Sequence, residues 1–173
     1  AREGMPDLEG ALEIGPALEI LVAAPSPRQK VEIRLPVRAV LVTNFRQVDP
    51  AGWVFNPQVA WDYDSEGSGW NASLSLGSLF ADRKYHAYYY EVEPRYATPE
   101  RPAYRATGGY SGAIVTGTVS RRVGRIWIGG FLRYDNLAGA AFVDSPLVET
   151  RHSVMGGVAV AWTFATSTEM VTN

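Results

Sequence analysis

Lys30-Val31-Glu32-Ile33-Arg34-Leu35-Pro36-Val37-Arg38-Ala39-Val40-Leu41 decides the fold class. Taken two by two, Val31, Ile33, Leu35, Val37, Ala39 and Leu41 fall on one face and Lys30, Glu32, Arg34, Pro36 and Arg38 on the other. A helix turning 100° per residue would scatter these apolar positions around its circumference, whereas a strand alternating by 180° collects them. The stretch therefore predicts a strand with one apolar and one charged face.

The same period recurs on both sides of it. Upstream, Leu12, Ile14, Pro16, Leu18, Ile20 and Val22 oppose Glu13, Gly15, Ala17 and Glu19. Downstream, Trp53, Phe55, Pro57, Val59, Trp61 and Tyr63 oppose Asn56, Gln58, Ala60, Asp62 and Asp64, and Trp70, Ala72, Leu74 and Leu76 oppose Asn71, Ser73, Ser75 and Gly77. Ala106 to Ser120, Arg125 to Tyr134 and Val154 to Phe164 complete a set of about seven predicted strands.

Alternation alone suits a soluble sandwich or lipocalin-like binder as well as a membrane barrel. Connection lengths favour the barrel. Pro25 to Arg28, Ser65 to Gly69 and Arg122 to Gly124 are short, while Asn44 to Gly52, Arg83 to Arg105 and Asp135 to Arg151 are long. Tight periplasmic turns alternating with extended external loops are a property of transmembrane barrels. Strands of about ten residues with aromatic residues near their ends fit the same geometry.

Composition bounds the function. The 173 residues are 46% hydrophobic and 20% charged, enough for one folded domain over residues 1–173. A formal charge of -2 gives no bulk attraction for nucleic acid, and the absence of cysteine removes disulfides and thiolate chemistry. No apolar run reaches the roughly 18 residues that a membrane helix needs, so any crossing is made by strands. Ala1 to Asp7 has no basic segment leading into an apolar core, so no signal peptide is read there and a mature or truncated chain is expected.

Several longer words are specific. Leu35 to Val40, Gly52 to Pro57, Lys84 to Val92, and Leu132 to Val148 with its Asp144-Ser145-Pro146 ending resemble the MipA/OmpV family of MltA-interacting outer-membrane proteins, over roughly Leu8 to Phe164. The sequence departs from the usual pattern at Ala140, where an acidic residue is common. The resemblance implies an outer-membrane location and, for the family's namesake, a scaffold joining a lytic transglycosylase to a peptidoglycan synthase. Other members look like adhesins, antigens or porin-like passive channels. No catalytic residue and no cofactor comes with it.

Trp162 and Phe164 at the end of the last strand look similar to the C-terminal signal read by the barrel assembly machinery, although the tail of residues 165–173 departs from it. Counting back from Phe164 sends Leu12 to Val22 inward. An even strand number then asks for further strands ahead of residue 11 and about twelve in the full-length antiparallel barrel, embedded in outer-membrane lipid.

Polar residues on the inward face, Glu13, Glu19, Glu32, Arg34, Arg38, Asp62 and Asp64, are expected to pair within a closed interior, with a channel lining as the alternative. Tyr85, His86, Tyr88, Tyr89 and Tyr90 sit in a Tyr-rich segment suited to recognition on an external loop. Asp144, Ser145 and Pro146 read as a turn in a second external loop. Arg121, Arg122 and Arg125 cluster at a periplasmic turn. With only His86 and His152 available as histidine bases, and no nucleophile elbow or metal-ligand spacing, a non-enzymatic protein without metal is expected.

Overall fold

The computed structural model describes residues 2–43, 47–65 and 67–165. The strands are β1 (Gly10–Ile14), β2 (Ala17–Ser26), β3 (Gln29–Thr43), β4 (Val48–Phe55), β5 (Gln58–Asp64), β6 (Trp70–Ala81), β7 (Gly109–Val123), β8 (Ile126–Asn136) and β9 (His152–Trp162). A helix, α1 (Arg83–Tyr90), and a 3-10 turn at Pro94–Tyr96 lie between β6 and β7. All pairings are antiparallel within one nine-stranded sheet.

Two predicted strands are each broken in two. β1 and β2 both pair with β3 and form one row interrupted at Gly15-Pro16, and β4 and β5 form another interrupted at Asn56-Pro57. Proline lacks the ladder donor, which is why period-two counting through Pro16 and Pro57 overran the elements. The sheet repairs both breaks with bonds across them: Val37 N–H donates to Pro16 O at 3.0 Å, Asn56 N–H to Pro36 O at 3.1 Å and Ser78 N–H to Pro57 O at 3.0 Å. The result is a meander of long rows, each beside its sequence neighbour.

Other limits shift as well. β6 runs on to Ala81, β7 starts at Gly109 and not at Ala106, and β9 ends at Trp162, leaving Phe164 two residues beyond it. The connection expected to be long at residues 44–52 is short, because β4 begins at Val48. Residues 166–173 of the expected tail lie outside the described residues. The rows β1/β2 and β9 bound the sheet, each hydrogen-bonded on one side among the described residues.

Registers separate two faces. Leu12, Ile14, Ile33, Leu35, Val59, Leu74, Leu76, Ile128, Leu132, Val158 and Val160 share the outer one. On the inner face, Val40, Val42, Ala51, Val54 and Ala81 form the apolar core, with Tyr85 and Tyr88 of α1 packed on it. α1 therefore sits inside the sheet at the end opposite the tight turns. Tyr85 interacts electrostatically with both Glu13 on β1 and Arg133 on β8. Five strand spacings, about 24 Å if flat, separate those rows, so the sheet curls around the helix.

Candidate functional site

The inward fold of residues 82–108 begins with a cap. Asp82 accepts from Tyr85 N–H at 3.0 Å to start α1, and from Trp53 N–H at 3.2 Å to tie that start to β4. Gly52 makes the approach feasible. Its φ is 120°, and an added Cβ would fall 2.7 Å from the Tyr85 amide nitrogen, so only glycine fits under the helix.

His86 is fully buried. Its Nδ1–H donates to Thr107 O at 2.5 Å, which leaves Nε2 to accept from the Ser111 hydroxyl at 2.7 Å. Burial holds its pKa below the ordinary value, against the opposing pull of the Thr107 carbonyl and Asp82. Tyr85, Tyr89 and Tyr90 hydroxyls are pushed upward, also by burial first.

The second connection, residues 137–151, locks onto the first. Phe142 stacks flat on Tyr90, centroids 3.7 Å apart and planes 6° apart, and meets the His86 ring edge-on at 4.7 Å. Ser145 donates its hydroxyl to Tyr90 O at 2.7 Å, and Tyr104 donates to Ala141 O at 3.2 Å. Glu91 accepts from Arg83 and from the Ala106 amide, each at 3.2 Å. Arg2 joins from the other side, donating to Tyr89 O at 3.1 Å. Together these contacts make a cap over the inner face.

Below the cap the inner face carries charge in pairs. Arg34 bonds Asp62 at 2.5 Å and Glu32 at 2.9 Å and stands 3.9 Å from Glu19; Glu32 also meets Lys30 at 2.9 Å. Arg38 reaches Glu13 at 3.4 Å, and Arg133 holds Asp135 at 2.7 Å. Asp64 is exposed at the turn end of the same face. Between the cap and the Arg133–Asp135 end of this wall lies a partly open cavity of about 280 Å³, lined also by Tyr85, Tyr90, Phe142 and Ser153.

Aromatic residues band the outer face near both ends. At the turn end are Trp61, Tyr63, Trp70 and Trp162, and at the cap end Trp53, Phe80, Tyr110 and Tyr134. Arg121 lies over the Trp70 ring at 5.1 Å, its charge at the rim and its stem along apolar surface. Ten residues separate Trp70 from Phe80 on β6, roughly 33 Å of strand, or roughly 25 Å when tilted by about 40°, which equals the apolar band of an outer-membrane barrel. Exposing each large aliphatic of this face to water would cost about 1.5–3 kcal/mol, so the face is built for lipid or for a partner.

The structure brings Glu13, Glu19, Glu32, Arg34, Arg38, Asp62 and Asp64 to one face. It does not bring the Tyr-rich segment to an outer surface. Tyr85, Tyr88, Tyr89 and Tyr90 are half-buried in a helix folded into the mouth, because an apolar floor of valines and alanines is available there. Tyr88 accepts from Glu9 N–H at 2.8 Å. Ser145 is buried, with Pro146 half-buried and Asp144 exposed beside it. Trp162 ends β9, and Phe164 stands exposed 6.4 Å from it.

Sequence reasoning missed Phe142, Ser111, Glu91 and the Arg133–Asp135 pair. Phe142 is the one large apolar residue in a stretch of small ones, which was a usable signal; partners of His86 had none. Comparison with known proteins gives one family model, described as MltA-interacting protein MipA, matching residues 1–164. No curated protein and no solved structure matches.

Proposed function

Because the chain belongs to the MltA-interacting protein MipA family, a family of outer-membrane proteins, we propose that it resides in the outer membrane as a non-enzymatic barrel and acts as a scaffold, holding a lytic transglycosylase at its periplasmic rim. The observation that carries this reading is the interlocked cap: two connections fold inward and stack Phe142 on Tyr90 across the mouth. A passive pore needs an open mouth and a lumen with unpaired polar groups. Here α1 and residues 137–151 fold into the mouth, and charges along the wall pair with one another, which supports the scaffold reading.

Two further features support it. The outer face has the width and the aromatic girdles that a bilayer demands, which supports insertion into outer-membrane lipid by the barrel assembly machinery. Edges in hydrocarbon must be paired, so the rows β1/β2 and β9 would be joined through additional strands in a closed barrel. In this reading His86 and Ser111 are a buried structural pair, Nε2 accepting from the hydroxyl at 2.7 Å, and His152 pairs with the Tyr134 hydroxyl at 2.7 Å.

The test has two arms on the full-length protein. Binding to a lytic transglycosylase of the same bacterium, measured by interferometry in nanodiscs, is expected, together with weakening by Arg28→Glu at the periplasmic turn. Planar-bilayer recording is expected to give no steady conductance. A stable open channel with no enzyme binding would replace the scaffold by the porin-like reading.

A further inference from the structure

The inner wall is not polar throughout. On β8 and β9 the inward positions nearer the turn end are Trp127, Gly129, Phe131, Gly157, Ala159 and Ala161, on the same face of the sheet as the charged positions of β3 and β5. A Cβ on Gly129 would meet the Trp127 ring at 2.3 Å, and one on Gly157 the Phe131 ring at 2.7 Å. Both rings thus lie over glycines, and they leave a trough of about 370 Å³ bounded on β7 by Thr118 and Ser120. That volume falls within the range of roughly 300–1,000 Å³ common for small-molecule sites. Phe131 is 42% exposed in it.

One end of the trough is cationic. Arg122 lies opposite Trp127 in the β7–β8 register and shares its face, and Arg125 follows in the adjoining turn. Both are exposed. From Trp127 to Phe131 the trough measures roughly 14 Å at about 3.4 Å per residue, the reach of a chain of about ten methylenes.

We propose that this trough binds a single-chain fatty acid from the periplasmic side, its alkyl chain along Phe131, Gly157 and Trp127 and its carboxylate at Arg122. The proposal rests on the reading of this face as the lumen of a barrel. It requires no opening of the cap, because the trough starts at the opposite rim. Small inward residues on β9 make room, and aromatic faces supply apolar contact at little cost in side-chain entropy.

The experiment is photolabelling of the full-length protein in nanodiscs with a diazirine-bearing dodecanoic acid, mapped by peptide mass spectrometry. Adducts are expected within residues 118–131 and 157–161, at inward positions. Ala159→Trp, which fills the trough, is expected to abolish them, and Arg122→Glu to reduce them about fivefold while Arg122→Lys retains them. Label confined to outward positions such as Val158 and Val160, or equal labelling by the corresponding alcohol, overturns the proposal. Heat-modifiability is read on the same samples. A wild-type protein that never runs compactly before boiling refutes the barrel, whereas a compact one without label in the trough refutes only the ligand.

Discussion

Phe142 shows how much a single side chain does. It is almost fully buried, and with Ser145 it is what residues 137–151 use to hold α1. Phe142→Ala is expected to cost about 3–5 kcal/mol, confined to the cap, and to appear as faster amide hydrogen exchange in residues 83–90 with strand protection unchanged. Gly52→Ala puts a Cβ into the Asp82 carboxylate at a φ of 120°, so it is expected to lower the thermal midpoint of the cap. His86 gives a pH dependence. Its folded pKa is depressed by burial, so as pH falls below about 6.5 the opened state takes up a proton that the closed state refuses, and stability of the cap declines until the folded pKa is passed. Hydrogen exchange of α1, corrected for intrinsic rates, should show that slope between pH 7 and 5 and lose it in His86→Gln.

Elements carry the distinction between faces. Val158 points outward from β9 and is 81% exposed, whereas Asn71 points inward from β6. Val158→Asp is therefore expected to impair membrane assembly far more than Asn71→Asp, which joins other polar groups. The fraction of heat-modifiable protein in outer-membrane extracts measures this, and equal tolerance would contradict the inside-outside assignment. The proline breaks belong to the same scale. Pro16, Pro36 and Pro57 fall beside one another in adjacent rows, bridged by Val37 and Asn56 amides, so the sheet absorbs three missing donors in one place. Alternation located the rows; proline broke two of them without changing apolar periodicity, and ends such as Ala81 and Gly109 lay beyond what a period of two records.

At the scale of the whole molecule the proposed scaffold role rests on the cap and the paired wall acting together. Replacing residues 83–107 by a short Gly/Ser turn is expected to convert a silent protein into a conducting one in planar bilayers, since it removes the helix that fills the mouth. Continued silence would mean that the wall charges alone suffice to block ions. The cap also explains why the specific words of the sequence cluster where they do. Gly52 to Pro57, Lys84 to Val92 and Leu132 to Val148 meet there, around His86 and Phe142.

The sequence by itself determined the strand rows, their antiparallel order and the shared face of Glu13, Glu19, Glu32, Arg34, Arg38, Asp62 and Asp64, because a period of two is a local property that the backbone enforces residue by residue. Tertiary structure alone decided that the Tyr-rich segment is a helix inside the mouth, that Ser111 and Thr107 hold His86, and that aromatic rings over Gly129 and Gly157 line an apolar trough. Those arrangements depend on contacts between residues far apart in the chain, formed when the sheet curls. No local pattern records where a curling sheet leaves an apolar floor for a loop to occupy.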